Sequence, residues 1–424
     1  MDAPSASRGR IWLDVTTSRR AGTVHDGTTR VERGLTRELP PLLGERLGFC
    51  IYDRTMKRFL PVPRPAPPEA GAVGTARPAM RRSAARTLGR RVERRVRGLV
   101  KGAAARTAAA LDLMLERRLF PDSRPGDVLL LAGENWSRYD FNMLRRLRAD
   151  HNVRIAAVLQ DMIPVVHPQF FDDAGFLVRF RTYVDFLARD ADLVFAISDA
   201  TRNDYLRAAP DADPLRVERI ELGADIDTAG EQHRPVALAD LTGRPFVLSV
   251  STIQARKNFD LLYRLWQRFA GEGLSDTPHL VIAGRPGFGS ADLLHLMRND
   301  PAIADTVTLL HGASDAELAW LYANCLFTLY PSWYEGWGLP LSESLAHGRT
   351  FIASNTSSLP EAGQGLGIHL DPYDLMAWRR EVLQLAGDSE ARAAMERRIQ
   401  AERKLSSWSD CARGIAEALN RFMN

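Results

Sequence analysis

The stretch "CLFTLYPSWYEGWGLPLSESLAHGRTFIASN", residues 325–355, contains a whole supersecondary unit. Its opening run "CLFTLYPS" (325–332) reads as a buried strand, and "TFIASN" (350–355) as a second. Between them "WYEGWG" is a turn leaving the carboxyl end of the first strand. Pro340 suits the first position of a helix through "LSESLAHG", and Gly348 suits its close. Strand, turn, helix and strand in this order predict a βαβ unit with parallel strands.

The same rhythm runs outward in both directions. Apolar runs recur at "RIWLDV" (10–15), "LGFCIYD" (47–53), "DVLLLAG" (127–133), "VRIAAVLQD" (153–161) and "DLVFAIS" (192–198). After a polar stretch near 209–243 the series restarts with "FVLSVS" (246–251), "HLVIAG" (279–284) and "VTLLHG" (307–312). Continuous apolar strands separated by helices indicate parallel sheets covered on both faces. Two series predict an α/β chain of two doubly wound domains, and 424 residues exceed what one core usually serves. The expected bounds are 1–225 and 240–405, followed by a C-terminal segment at 406–424. In this architecture ligands sit beyond the carboxyl ends of strands, so a cleft between facing domains is the expected site.

Composition narrows the class. Hydrophobic residues at 45% and charged residues at 25% describe a globular protein. No run of about 18 apolar residues exists, which argues against a transmembrane helix, and "MDAPSASRGRIWLDV" has no signal-peptide core. Cys50, Cys325 and Cys411 are odd in number and far apart, so neither a disulfide framework nor a zinc site is expected. The cytoplasm is the expected address.

The net charge of +4 is unevenly placed: residues 77–118 hold 13 Arg/Lys against 3 Asp/Glu. They lie in a Pro/Ala/Arg-rich insertion at 61–118, where Leu88, Val92, Val96, Leu99 and Ala103 recur at helical spacing. Such a helix, 81–103, suits either an anionic membrane surface or packing on its own domain with a solvated basic face. Nucleic acid is not expected, because the patch has no interleaved aromatics and no recognisable module.

Chemistry gathers in the second series. Glu335 lies in the loop at a strand's carboxyl edge, and Glu343 in the first turns of the next helix. Gly336 and Gly338 let a backbone approach a ligand, and the helix N-terminus favours a phosphate. One carboxylate would grip sugar hydroxyls and the other a ribose diol, with a diphosphate between. Arg256 and Lys257, in a loop before another helix, supply a fork and a compact charge suited to that diphosphate. Lys257 is one of only four lysines among 56 basic residues, which draws attention to it.

The runs "EGWGLPLSESLAHG", "ARKNF" (255–259) and "ASNTSSLPE" (353–361) together resemble the retaining glycosyltransferases of family 4. The resemblance covers most of residues 150–424 and is weaker upstream, at "GTTRV" (27–31), "QDMIP" (160–164), "FAISDAT" (195–201) and "ELGAD" (221–225). It implies a GT-B fold, two Rossmann-like domains facing across a cleft, the first binding acceptor and the second the nucleotide sugar, with a final helix at 406–424 crossing back to the first domain. It implies that Glu335 contacts the donor sugar and stabilises charge at its anomeric carbon, and that Glu343 binds the ribose. Arg256 and Lys257 would hold the diphosphate, and the backbone of Gly336, Trp337, Gly338 and Leu339 would line the donor pocket. Ser198 and Asp199 match a strand end pointing into the cleft.

There is a departure: many relatives carry His-Asp where this chain has Gln160-Asp161. Glutamine hydrogen-bonds but carries no proton at neutral pH. Asp161 remains a catalytic candidate on the acceptor side, with Gln160 and Arg30 beside it. Glu134 and Trp136 are further acceptor candidates; Trp333, Tyr334 and Trp337 either pack or stack on sugar. "RPGFGS" (285–290) reads as a surface turn, and the histidines show no metal-ligand spacing.

The expectation is a retaining hexosyltransferase using a nucleotide diphosphate sugar, GDP-mannose being the donor suggested by such relatives. The acceptor would be a glycan or lipid-linked glycan of a surface polysaccharide, reached at the inner face of the membrane. No cofactor or metal is expected. Rival readings are a nucleotide-sugar epimerase of similar build and a non-catalytic sugar-nucleotide-binding protein.

Overall fold

The structure is a computed structural model that describes residues 9–21, 27–65, 119–120, 122–224, 232–241, 243–274 and 277–424. The basic segment 81–103, and with it the membrane-facing expectation, lies outside the described residues. The chain forms two compact units, residues 1–156 with Met423 and residues 157–422 with Asn424.

Two parallel-sheet domains underlie the architecture. The first sheet has strands β1 (Ile11–Asp14), β2 (Leu47–Asp53), β3 (Arg58–Val62), β4 (Val128–Leu131), β5 (Arg154–Leu159), β6 (Leu193–Ala196) and β7 (Val217–Arg219). Their spatial order is β3-β2-β1-β4-β5-β6-β7. The second has β8 (Phe246–Val250), β9 (His279–Ala283), β10 (Val307–Leu310), β11 (Thr328–Tyr330), β12 (Phe351–Ser354) and β13 (Ile368–Leu370), in the order β10-β9-β8-β11-β12-β13. Pairing in the second sheet is parallel throughout. In the first, β2 and β3 pair antiparallel, and this edge strand takes in Pro61 and Val62, the first residues read as insertion. An edge position tolerates a proline because one side of the strand has no ladder to complete.

Local sequence explains the elements that carry the site. The helix Phe259–Gly271 places Phe259, Leu262, Leu265, Trp266 and Phe269 on one buried stripe, at the spacing of successive turns. That stripe meets Leu280 and Ile282 of β9, Leu329 of β11 and Phe327 just before it in one apolar core. Burying each large apolar side chain contributes about 1.5–3 kcal/mol, so this core fixes the carboxyl ends of β8 and β11 relative to each other.

The helix predicted from the 325–355 stretch spans Leu339–Ala346. Gly338 precedes it at φ +114°, a conformation that side chains with a Cβ rarely adopt. Pro340 occupies the second helical position rather than the first, where its missing N–H is equally harmless. The terminal helix Trp408–Met423 begins with a Ser407/Asp410 capping box, and its Arg421 pairs with Glu218 of β7 at 2.7 Å.

Candidate functional site

Beyond the end of β8 the backbone is braced by the glycine-rich turn 285–290. Ile253 N–H donates to the Arg285 carbonyl at 2.8 Å, Gly287 N–H to Ile253 at 2.8 Å, and Ala255 N–H to Phe288 at 3.2 Å. This turn, read as a surface feature, is thus the support of the segment that follows. Next comes one 3-10 turn, Ala255–Lys257, and then Asn258 in the left-handed region (φ +55°) opens the core helix. Arg256 and Lys257 are thereby held at the carboxyl edge of the sheet.

Glu335 leaves β11 toward them. Its Oε2 accepts from Arg256 Nη1 at 2.7 Å and its Oε1 from Lys257 Nζ at 2.5 Å. Glu335 is 5% exposed and Lys257 8%, while the Arg256 side chain, 22% exposed, closes the triad at its rim. The backbone locks it: Glu335 N–H donates to Ser357 Oγ at 2.9 Å, and Ser358 Oγ donates to the carbonyls of Glu335 and Trp337. Arg256 also donates to the Tyr334 carbonyl at 3.2 Å and accepts from Trp333 N–H through its own carbonyl at 2.9 Å.

Burial would raise the Glu335 carboxyl, but the charge of Arg256 and then of Lys257 outweighs it and holds the group at about 2. Burial and the Arg256 charge together draw the Lys257 ammonium down to about 8, against the attraction of Glu335. Asp161 faces the same cations. Burial raises its carboxyl, the Arg256 charge opposes that, and the Glu335 charge adds to it. The contact is tight, because a Cβ on Gly336 would lie 2.2 Å from the Gln160 carbonyl and 2.9 Å from Asp161 Cβ. Only glycine lets that turn pass.

Asp161, Arg256, Lys257 and Glu335 therefore converge, and Gly336 is where the Gln160-Asp161 segment meets the turn. Glu343 is buried deeper in the helix and accepts from Tyr322 O–H at 2.9 Å, with His347 stacked on that tyrosine. Trp337 is buried with its Nε1 donating to Ser342 Oγ at 3.0 Å, and Tyr334 packs on His167 and donates its hydroxyl to Asp204. Trp333 lies against the exposed Tyr373, ring centroids 4.3 Å apart. Ser198 caps the helix Asp199–Ala208 through Thr201 N–H, and the N–H groups of Asp199 and Ala200 go to the Glu361 carboxylate at 2.8 Å each.

Arg30 lies in the helix Gly27–Leu43 of the other unit. There the sequence reading missed a cluster: Asp14 at the end of β1 accepts from Thr16 and from Tyr139, and Glu32 accepts from Ser18 N–H at 2.6 Å and Thr17 N–H at 3.3 Å. Burial raises Asp14 to about 6, and burial together with the Asp14 charge raises Glu32 to about 8. Glu134 pairs with Arg138 at 2.6 Å. Tyr330 was missed as well, its hydroxyl 3.2 Å from Lys257 Nζ. No local pattern marks it, since it reads as one more strand residue. Ser332 and Ser354, after β11 and at the end of β12, are buried with no hydroxyl partner among the described residues.

No group of three or more His, Cys, Asp or Glu side chains that could hold a metal occurs among the described residues. No described helix is long and apolar enough to cross a membrane.

Residues 234–402 match the family model described as "Glycosyl transferases group 1". The chain is 29% identical over 224 residues to O-antigen chain mannosyltransferase B of Escherichia coli, covering 52% of this chain and 58% of that protein. It is 31% identical over 225 residues to D-inositol 3-phosphate glycosyltransferase of Salinispora tropica, covering 49% and 46%. A serotype-specific mannosyltransferase of Escherichia coli, WbdA, is 25% identical over 64% of this chain and 34% of its own length. The chain thus spans between 34% and 58% of these relatives. Among solved structures, sucrose-phosphate synthase of Thermosynechococcus elongatus aligns with TM-score 0.62 and 18% identity over 98% of this chain and 99% of that one. HepE of Anabaena, solved with UDP and glucose, aligns with TM-score 0.61 and 14% identity over 97% and 99%. These likenesses show the GT-B fold. The likeness to the group 1 glycosyl transferases thus lies in residues 234–402 of a chain of GT-B fold.

Proposed function

We propose that this chain is a retaining glycosyltransferase that moves a hexose, mannose in the first instance, from a nucleoside diphosphate donor to a glycan or lipid-linked glycan of a surface polysaccharide. The observation that carries the reading is the ion triad of Arg256 with the buried Lys257 and Glu335, with Asp161 beside it. Two cations fixed at strand ends suit a diphosphate whose charge grows as the glycosidic bond breaks. Mannose is supported by the mannosyltransferase relatives.

In the proposed step the bond from the anomeric carbon to the phosphate oxygen breaks and its electrons stay on the diphosphate. The acceptor hydroxyl attacks from the same face, and its proton passes to the departing phosphate oxygen. Arg256 and Lys257 hold the diphosphate and Glu335 faces the positive charge at the anomeric carbon. Glu343 orders the ribose side, and Gly336, Trp337, Gly338 and Leu339 contribute the turn beside it. Asp161, Gln160 and Arg30 serve the acceptor side. In this reading the charge work needs no metal, so chelation should leave turnover unchanged. The enzyme works at the cytoplasmic membrane face. The epimerase and the non-catalytic binder are not favoured, because the relatives compared are transferases.

The test is a sugar-nucleotide panel including GDP-mannose and UDP-glucose. A cognate donor raises the melting temperature by mass action, and with an acceptor oligosaccharide it yields an α-linked product. Conversion of donor without acceptor into an isomeric sugar nucleotide would overturn the transferase reading.

A further inference from the structure

Lys257 has three N–H donors in a buried site. One goes to Glu335 at 2.5 Å and one to the Tyr330 hydroxyl at 3.2 Å; Nζ also lies 5.4 Å from the centre of the Tyr330 ring. Tyr330, 4% exposed, ends β11, and its backbone is fixed by pairing with Ala353 of β12. The groups facing this ammonium are Arg256, Glu335, Asp161 and Tyr330, and Tyr330 is the neutral one among them.

We propose that the Tyr330 hydroxyl is a positioning residue that keeps Lys257 charged and aimed, beside Glu335 in the empty site and without it once the donor arrives. The role completes the reading above, in which Lys257 meets the donor diphosphate, and rests on it. The physical problem is the buried cation. Desolvation and the neighbouring guanidinium both favour loss of its proton, and Glu335 is the counter-charge that resists. If Glu335 turns to the sugar when donor arrives, that support leaves. A phenol oxygen then remains as acceptor, together with the negative face of its ring. Burial raises the phenol's own ionisation far above neutral pH, so it stays an uncharged partner. A carboxylate at this position would neutralise Lys257 outright and weaken phosphate binding, whereas a hydroxyl supports the charge without cancelling it.

Tyr330→Phe retains the ring and removes only the oxygen. With only four lysines in the chain, the 13C-labelled lysine ε-carbon signals of the full-length protein can be assigned by substitution. The expected result is a Lys257 titration midpoint lowered by about one pH unit, the equivalent of one hydrogen bond. In calorimetry with GDP and UDP as probes, the variant should match the parent near pH 6 and bind about tenfold more weakly near pH 8.5. An unchanged lysine midpoint, or an affinity loss equal at both pH values, overturns the role of Tyr330. A lowered midpoint in a protein whose wild type binds neither GDP nor UDP overturns the donor-site reading instead.

Discussion

Glu335 Oε1 lies 2.5 Å from Lys257 Nζ, and its second oxygen lies 2.7 Å from Arg256, so the empty site neutralises itself. A carboxylate occupies the two cations assigned to a diphosphate. Phosphate oxygens entering there compete with Glu335 and release it toward the sugar. Glu335→Gln should therefore cut transfer about 10²–10³-fold while binding a nucleoside diphosphate about tenfold more tightly near pH 6, where Lys257 keeps its proton. Calorimetry with GDP beside a turnover assay checks both. Weaker nucleotide binding in the variant would show that Glu335 helps hold the diphosphate rather than guarding its place.

Two buried carboxyls in the first unit predict an unusual pH dependence. Asp14 and Glu32 keep protons in the folded state, to about 6 and about 8, that the unfolded chain releases near its ordinary carboxyl values. The folded form thus binds more protons between about pH 4 and pH 8, so stability should fall as pH rises across that window. The loss is on the order of a few kcal/mol. Glu335 acts oppositely, because its depressed carboxyl contributes stability that is lost as pH falls from about 4.5 toward 2. Thermal melts from pH 3 to 8 should show a maximum near pH 4, and Glu32→Gln should flatten the upper limb. A parent protein more stable at pH 8 than at pH 5 contradicts the burial argument.

How much of this was legible follows from where the signals lie. The 325–355 unit could be read because an apolar strand, two glycines and a helix-opening proline fall within one short window. The three-residue strands β7 and β13 carry no such window, and pairing partners alone make them strands. Arg256, Lys257 and Glu335 were visible singly as motif residues. Their mutual ion pairing was not, since 78 or 79 residues separate the partners. Asp14 and Glu32 look like ordinary surface acids in sequence, and only tertiary packing removes their water. The 285–290 turn is exposed as its sequence suggests, but its bonds to residues 253–255 leave no local trace.

Gly336 has no room for a side chain. A Cβ there meets a backbone carbonyl at 2.2 Å, which cannot rotate away. Gly336→Ala should cost about 1–3 kcal/mol and lower turnover more than tenfold by displacing Glu335 from its two cations. Denaturant melts and initial rates measure the two effects. Full activity in this variant would mean that the turn is looser than its contacts require.

Glu361 caps the helix Asp199–Ala208 by receiving two backbone N–H groups at 2.8 Å. Glu361→Ala should lower stability by about 1 kcal/mol, whereas Glu361→Gln should recover part of it. Chemical denaturation of the three proteins provides the comparison. Equal midpoints would show that water satisfies those donors equally well.

The most direct measurement is a crystal structure of the protein with a bound nucleoside diphosphate, GDP first and UDP second. The account predicts phosphate oxygens at about 2.7–3.2 Å from both Arg256 and Lys257, with the Glu335 carboxylate no longer bridging them. A diphosphate seated elsewhere, with Glu335 still paired to both cations, would contradict it.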